Sequence, residues 1–393
     1  MLSHLIPRLT IKQKSTLPIV QGGMGVGVSA GRLAGSVARL NAVGTISSVD
    51  LRRHHPDLMA QTGRKGDKEL IDRLNLIALD REIEKARGIA NGKGLIAVNV
   101  MRAVSEYANY VRQSCESGAD AVVVGAGLPL DLPDLMADFP QTAMIPILSD
   151  SRGINLILKK WMRKQRLPDA IVIENPKFAA GHLGAAKVEN LNDPQYAFPR
   201  VLEETLALFK ELGIESERIP LIVAGGINNP FQVRELFAAG ASAVQLGTAF
   251  AVTEEGDAHI NFKKVLTGAK PEQIVTFMSV AGLPARAVKT PWLEKYLNKE
   301  EQLQDQAKER ACTVGFDCLH QCGLRDGVKG MGQFCIDQHL AYALEGDVKR
   351  GLFFRGSEKL PFGSEIRSVR ELVEYLLSEL NSLVPQRPVA VAS

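Results

Sequence analysis

The stretch "GLIAVNVMRAVSEYANYVRQSCESGADAVVVGAG" (residues 94–127) holds two apolar, β-branched runs separated by a segment with helical periodicity. Short β-branched runs favour strands, and a helix between two of them is typical of a β-α-β unit. In such a unit the two strands run parallel, and helices cover the sheet. The stretch therefore predicts a parallel sheet built from β-α units.

The same pattern occurs eight times along the chain. Strands that are apolar throughout and linked by helices favour a closed (β/α)8 TIM barrel over an open doubly wound sheet, because closure leaves no edge strand. The predicted strands lie in residues 18–23, 42–48, 94–100, 120–127, 144–150, 169–175, 220–226 and 243–250.

The length of 393 residues fits one barrel with an appendage. We expect the barrel in residues 1–254 and a mostly helical extension in residues 255–393. The amphipathic segment "SVRELVEYLLSELNSL" (residues 368–383) is predicted to form a last helix that packs back on the barrel.

Charge and composition exclude several kinds of partner. A formal net charge of +3 over 393 residues is too weak to indicate nucleic-acid binding. The apolar runs are shorter than the roughly 20 residues of a membrane-spanning helix, and the first residues show no secretory signal. We therefore expect a cytoplasmic protein that acts on a small molecule, with no nucleic-acid or membrane partner. The sequence indicates no oligomeric state.

Glycines follow the last two predicted strands. Gly225 and Gly226 end strand seven, and Gly247 with Thr248 ends strand eight. In a (β/α)8 barrel these two strand ends commonly hold a phosphate with backbone N–H groups and a hydroxyl. The four residues are therefore predicted to bind a phosphate. The alternative is that the glycines only form tight turns.

Seven short motifs carry a resemblance to a known family. In this order and spacing they resemble the FMN-dependent nitronate monooxygenases, formerly called 2-nitropropane dioxygenases, and the related flavin-dependent enoyl-ACP reductases. The motifs are PIVQGGMG (18–25), VNVM (98–101), GAGLP (125–129), AAGHLG (179–184), VAGGI (223–227), QLGTAF (245–250) and GLPARAV (282–288).

The resemblance implies an oxidoreductase with FMN lying across the top of the barrel. It places Gly23 and Met24 beside the isoalloxazine ring and Asn99 at the polar edge of that ring. Gly181 is a further cofactor-binding residue, and the loops after strands seven and eight hold the phosphate. The flavin supplies the redox chemistry, and the protein orients it. By residue type alone, Asn99 could also be a turn residue or a buried amide that serves the backbone.

His182 stands on a loop of small residues, "PKFAAGHLGAA" (residues 176–186), which offers few packing partners. The resemblance places this histidine over the flavin, as a base or as a group that steadies an anionic nitro group or an acyl substrate. A histidine titrates near neutral pH and can serve either role. Ala180 departs from the Gly-Gly-His pattern of the family and adds one methyl group. The alternative is a histidine that only packs or caps the loop.

Three reactions or functions remain open from the sequence. The first is nitronate monooxygenation, in which alkyl nitronates are oxidised with O2. The second is an NAD(P)H-dependent reduction of enoyl-ACP or quinones. The chain has no separate G-x-G-x-x-G fingerprint, which weakly favours the monooxygenase. The third is a phosphate-binding barrel without redox chemistry.

Four of the five cysteines lie close together in the extension. Cys312, Cys318, Cys322 and Cys335 have the spacing C-x5-C-x3-C-x12-C, which matches neither a zinc ribbon nor a ferredoxin run. Four thiolates could hold an iron–sulfur cluster or zinc, with His320 as a substitute ligand. The alternative is a group of reduced thiols that pack helices.

The remaining polar candidates are less specific. Arg286 is expected either to reach the mouth of the site or to lie on a solvated helix face. His54, His55 and His259 are expected to be surface residues.

Overall fold

The structure is a computed structural model that describes residues 6–62 and 67–380. Its first elements are two short antiparallel strands, β1 (Leu9–Ile11) and β2 (Lys14–Thr16). Eight parallel strands then close into a barrel, so the predicted fold is confirmed. They are β3 (Ile19–Gln21), β4 (Val43–Ser47), β5 (Leu95–Met101), β6 (Ala121–Gly125), β7 (Ala143–Leu148), β8 (Ile171–Glu174), β9 (Leu221–Ala224) and β10 (Ala243–Leu246).

The interior of the barrel is a packed apolar core, closed at its N-terminal end by the β1–β2 hairpin. Leu9 and Ile11 of this hairpin are 0% and 2% exposed, and they pack with the inward-facing residues of the barrel strands. Those inward residues alternate along each strand, as in Ala121 and Val123 of β6, because successive side chains point to opposite faces. This hairpin was not predicted from the sequence.

Helices surround the barrel in sequence order. They are α1 (Gly31–Arg39), α2 (Pro56–Thr62), α3 (Lys68–Ala90), α4 (Tyr107–Glu116), α5 (Leu132–Leu135), α6 (Ser151–Met162), α7 (Phe198–Glu211), α8 (Pro230–Ala238) and α9 (Thr248–Ala251). The long helix α3 begins where the side chain of Asp67 accepts a hydrogen bond from the Glu69 N–H, and it ends at the left-handed residue Asn91.

The chain after residue 254 mixes helices with a second hairpin. Its elements are α10 (Ile260–Gly268), β11 (Ile274–Met278), β12 (Pro284–Val288), α11 (Pro291–Leu297), α12 (Glu300–Asp305), α13 (Ile336–Leu344) and α14 (Val369–Leu377). The antiparallel pair β11–β12 was not predicted. Helix α14 starts with a capping box between Ser368 and Glu371 and contacts α1, α8 and α9 of the barrel.

Parts of three predictions lie outside the described residues. They are residues 381–383 of the predicted last helix, residues 1–5 and 63–66 of the predicted barrel, and residues 381–393 of the extension. Within the described ranges, no helix is both long enough and apolar enough to cross a membrane.

Candidate active site

The C-terminal mouth of the barrel holds a trough made of two adjoining cavities. The larger has a volume of about 220 Å³ and is lined by inward-facing strand ends, among them Ser47, Asn99 and Gln245. The smaller, of about 160 Å³, lies toward the loops after β9 and β10. Both cavities are walled by Gly23, Met24, Glu174, Ala180, Gly181, Gln245, Gly247 and Thr248. The trough therefore runs without a break from these loops to the His182 loop.

The structure brings together every residue that the sequence analysis assigned to the catalytic and cofactor-binding site. The larger cavity is lined by Gly23, Met24, Asn99, Gly181, His182, Gly247 and Thr248. The smaller cavity is lined by Gly225 and Gly226, again with Gly247 and Thr248.

The predicted phosphate end depends on two glycines with left-handed backbone. The φ angles of Gly225 and Gly226 are 107° and 78°, and a Cβ on Gly226 would lie 2.7 Å from Cγ of Phe178. Any side chain at Gly226 would therefore be strained and would clash with Phe178. Helix α9 begins at Thr248, and the first N–H groups of a helix have no acceptor within it.

Gly247 differs from these two glycines. Its φ is −102°, and a Cβ there would meet nothing closer than Sδ of Met24 at 3.6 Å. Residue 247 could therefore carry a side chain without backbone strain, but that side chain would occupy the trough.

Asn99 lies on β5 directly against the loop that follows β3. A Cβ on Gly23 would be 2.3 Å from Cβ of Asn99, so only glycine lets this loop approach so closely. No hydrogen bond joins the side-chain amide of Asn99 to any residue of the described chain. The amide is therefore available to a ligand in the trough, and it does not serve the backbone around it.

Backbone hydrogen bonds to β12 hold the loop that carries His182. Leu183 N–H donates to the Pro284 carbonyl at 2.8 Å, and Arg286 N–H donates to the Ala180 carbonyl at 2.8 Å. The guanidinium of Arg286 also donates to the carbonyl of Ala179. A loop with few side chains is thus positioned through its main chain.

Arg286 corrects one expectation. It lies on strand β12, is only 7% exposed and contacts the histidine loop, so the expectation of a solvated helix face is wrong.

His54 and His55 were expected to be surface residues, but both are half-buried. His54 Nε2 lies 2.8 Å from the Gly27 carbonyl oxygen, and His55 lies 3.1 Å from Glu82. Long-range partners such as these leave no signal in the local sequence.

His182 presents a free ring nitrogen to the site. Its Nε2 atom is buried and has no hydrogen-bond partner among the described residues, while the ring meets Phe354 edge-on at 6.2 Å between centroids. Burial lowers the pKa of His182 to about 4. The imidazole is therefore neutral at pH 7 and can accept a proton or orient a polar ligand atom.

Two carboxyl groups that the sequence analysis missed also line the larger cavity. Burial raises the pKa of Glu174 to about 7. Burial, followed by the charge of Asp50, raises the pKa of Asp337 to about 6. Among the described residues, no lysine or arginine lines this cavity. The ionisable side chains of the larger cavity are therefore one imidazole, two weak acids and the thiol of Cys318.

A buried ion-pair chain joins Asp337 to the barrel. Arg53 lies between two acids, with Nε 2.5 Å from Oδ2 of Asp50 and Nη2 2.6 Å from Oδ2 of Asp337. Arg52 adds a contact of 2.6 Å to Asp50. The side chains of Arg53, Asp50 and Asp337 are 9%, 0% and 1% exposed. This series of ion pairs fixes α13, which carries Asp337, against the segment after β4.

The four cysteines of the extension lie in one region, and only Cys318 reaches the larger cavity. The pKa of Cys318 is raised well above its usual range by burial and then by Asp337 and the other three thiols. Cys312 Sγ lies 3.0 Å from the Phe316 carbonyl oxygen, and His320 is exposed. Within residues 6–62 and 67–380, no group of three or more His, Cys, Asp or Glu side chains could hold a metal ion.

Elemental analysis separates the two interpretations of these cysteines. The described residues form no group of metal-ligating side chains, so we expect a protein without stoichiometric metal and with five titratable thiols after unfolding. The measurement is iron, sulfide and zinc content after anaerobic purification, together with a thiol titration. Iron with sulfide, or zinc, in stoichiometric amount would contradict this expectation and support ligation.

The chain is similar to known proteins over most of its length. A sequence model of the nitronate monooxygenase family matches residues 7–379. A probable nitronate monooxygenase of Bacillus subtilis is 26% identical over 300 residues, which cover 73% of this chain and 80% of that protein.

Two solved structures have the same fold at low identity. FabK from Thermotoga maritima superposes with a TM-score of 0.64 at 22% identity and covers 93% of both chains. A nitroalkane oxidase from Streptomyces ansochromogenes gives 0.62 at 19% identity, over 93% of this chain and 96% of that one. Since the family model extends from residue 7 to residue 379, the chain belongs to the nitronate monooxygenase family of oxidoreductases.

Proposed function

We propose that the protein is an FMN-dependent nitronate monooxygenase that oxidises alkyl nitronates with O2. The observation that carries the proposal is the buried Nε2 of His182, which has no partner among the described residues, in a cavity that it shares with Gly247 and Thr248 and that adjoins the Gly225–Gly226 loop. Membership of the nitronate monooxygenase family supports the reaction class.

The residues of the trough fit a flavin mononucleotide. Gly181 and Gly247 leave its walls open, since a Cβ on Gly181 would meet only Phe354 at 3.8 Å. The free amide of Asn99 can pair with the polar edge of a flavin ring. The N–H groups at the start of α9, with the Thr248 hydroxyl, can bind a phosphate. When bound, FMN would accept electrons from the substrate and pass them to O2.

The chain's own groups would bind and orient the substrate. A nitronate is already an anion, so His182 needs only to orient its nitro oxygens and balance their charge. That negative charge would in turn raise the pKa of the imidazole and favour its protonated form. A neutral nitroalkane first has to lose a proton, and Nε2 of His182 is the free acceptor. The apolar walls would exclude water from the alkyl part.

An activity comparison tests the proposal. We expect O2 consumption with propionate-3-nitronate in the absence of any nicotinamide. NADH or NADPH oxidation that depends on a quinone or on a crotonyl thioester, without nitronate oxidation, would instead identify a reductase. A colourless protein that takes up no flavin would point to a phosphate-binding barrel without redox chemistry.

Gly247→Val tests the assignment of the phosphate end. The side chain would enter the trough without backbone strain, so FMN affinity should fall at least about tenfold, as for the loss of one hydrogen bond to a charged group. FMN content by absorbance and mass spectrometry, and the Kd by titration of apo-protein, measure the effect. Unchanged affinity would contradict the assignment.

Gly88→Ala is the matched control for this variant. Gly88 lies on α3, and a Cβ there would meet no atom within 4 Å, so this variant should retain wild-type FMN affinity. A substitution at Gly226 is less informative, because its clash with Phe178 would disturb the loop whether or not a cofactor binds there.

A further inference from the structure

Glu174 occupies a central place in the mouth of the barrel. It is the last residue of β8 and is in register with Ala224 of β9, which in turn is in register with Gln245 of β10. Val172 and Ala224 belong to the inward-facing core, so the alternation along the strand also points Glu174 inward. Glu174 lines both cavities, so a ligand that fills both lies against it.

Within residues 6–62 and 67–380, no group balances the charge of this carboxyl. The side chain of Glu174 makes no hydrogen bond or ion pair with any residue in the described part of the chain. By contrast, the buried Glu82 accepts a hydrogen bond of 2.6 Å from the Gly31 N–H and lies 3.1 Å from His55. Burial alone raises the pKa of Glu174 to about 7, so the acid is half neutral near physiological pH.

Few other charged groups share the trough. His182, Cys318 and Asp337 line the larger cavity with Glu174, and Glu358 with Lys359 lines the smaller one. At pH 7–9 His182 is neutral, because its pKa is about 4, and Cys318 is protonated, because burial raises the pKa of its thiol. Asp337, with a pKa of about 6, is mostly ionised in this range. Asp337 is paired with Arg53, whereas Glu174 has no cation partner among the described residues, so Glu174 is the carboxyl group of the larger cavity that we expect to take up a proton.

We infer that Glu174 binds FMN as a neutral carboxylic acid, so that the protein takes up a proton when it binds the cofactor. The inference rests on the proposed FMN site but not on the proposed reaction. The phosphate of FMN brings about 1.5–2 negative charges to the trough, and an ionised carboxylate nearby would oppose them. The protonated acid avoids this repulsion and can donate its O–H to an acceptor oxygen or nitrogen of the flavin.

The pH dependence of FMN affinity follows from this linkage. If the bound state favours the neutral acid, the pKa of Glu174 in the complex lies above its value of about 7 in the free protein. Below that value both states are protonated, and Glu174 contributes no pH dependence. Above it, affinity weakens by up to about tenfold per pH unit until the pH reaches the pKa in the complex.

The experiment compares apo-protein of wild type and Glu174→Gln, which mimics the neutral acid. FMN is titrated by fluorescence quenching from pH 6 to pH 9. We expect the wild-type Kd to rise about 10- to 50-fold between pH 7 and pH 9, and the Kd of Glu174→Gln to stay nearly constant. The second pKa of the FMN phosphate is about 6, so the comparison is made between pH 7 and pH 9, where the phosphate is already dianionic. Glu300→Gln is the matched control, because burial also raises the pKa of Glu300 but this residue lines neither cavity, and the variant should keep the wild-type dependence.

Calorimetry in buffers of different ionisation enthalpy gives a second measurement that needs no variant. Wild type at pH 8 should take up close to one proton per FMN bound, and Glu174→Gln should take up far less. FMN binding without proton uptake, or the same pH dependence in both proteins, would overturn the role of Glu174 and leave the proposed function intact. A wild-type protein that binds no FMN at any pH would overturn both.

Discussion

His182→Asn is expected to slow the reduction of bound flavin by substrate by about 10²- to 10⁴-fold, the usual range for a lost acid–base group. The variant should fold and retain FMN, because the loop is held by main-chain bonds to β12 and the imidazole lies away from the phosphate end. The loss should be largest with neutral nitroalkanes, which need a proton removed. A preformed nitronate needs only positioning and charge balance.

Anaerobic stopped-flow measurement of flavin bleaching with both substrate forms tests this expectation. His259→Asn is the matched control, since His259 is an exposed residue that caps α10 through Nδ1 and asparagine can form the same cap. The control should reduce its flavin at the wild-type rate. If His182→Asn also keeps the wild-type rate with either substrate form, His182 is only a loop residue.

Arg53→Met is expected to lower the free energy of unfolding by about 3–5 kcal/mol, the usual cost of removing one partner from a buried ion pair. The change leaves Asp50 and Asp337 buried without their shared cation, and both side chains are almost completely enclosed. Urea denaturation at pH 8 measures the effect as a lower midpoint. Arg81→Met is the matched control, because Arg81 pairs with Asp57 at the exposed surface and should matter far less.

The loss in Arg53→Met should shrink on acidification. Burial already raises the pKa of Asp337 to about 6, and Arg53 opposes that rise. Without the arginine the folded-state pKa moves higher still. Because the folded pKa then lies above that of the unfolded chain, the folded state is penalised where the acid is ionised, and the penalty is relieved as pH falls through the folded pKa. An equal loss of unfolding free energy at pH 5 and pH 8, or a loss no larger than that of Arg81→Met, would contradict the stabilising role of the buried ion pairs of Arg53.

The barrel could be predicted because its signals are local. Each strand is a short apolar run, and the glycines of the predicted phosphate end, Gly225 and Gly247, directly follow β9 and β10. The sequence also held a signal for Glu174. The run "DAIVIEN" has two acidic residues, Asp169 at its start and Glu174 near its end, and Glu174 stands at an inward position. Counting every second residue from the inward-facing Val172 would have identified Glu174 as an inward-facing residue.

Other features depend on contacts between distant residues. Arg53 and Asp337 are 284 positions apart, so no window of sequence shows that they pair. Strand β1 is three residues long and includes the polar Thr10, so its run is too short for a strand prediction. Arg286 lies on a strand because β12 pairs with β11. Its hydrogen-bond partner Ala179 follows β8 and is 107 residues earlier in the chain.

The anchoring of the His182 loop by β12 has a consequence for the order in which the protein matures during synthesis. Ala179 and Arg286 are 107 residues apart, which corresponds to about 5–20 s of translation at roughly 5–20 residues per second. All eight barrel strands leave the ribosome before the segment that fixes the histidine loop. A nascent barrel would therefore carry the glycine loops of the phosphate end some seconds before it could hold His182 in place. Glu358 and Lys359 of the smaller cavity are synthesised later still, so the whole trough would be completed only after the eight strands and β12.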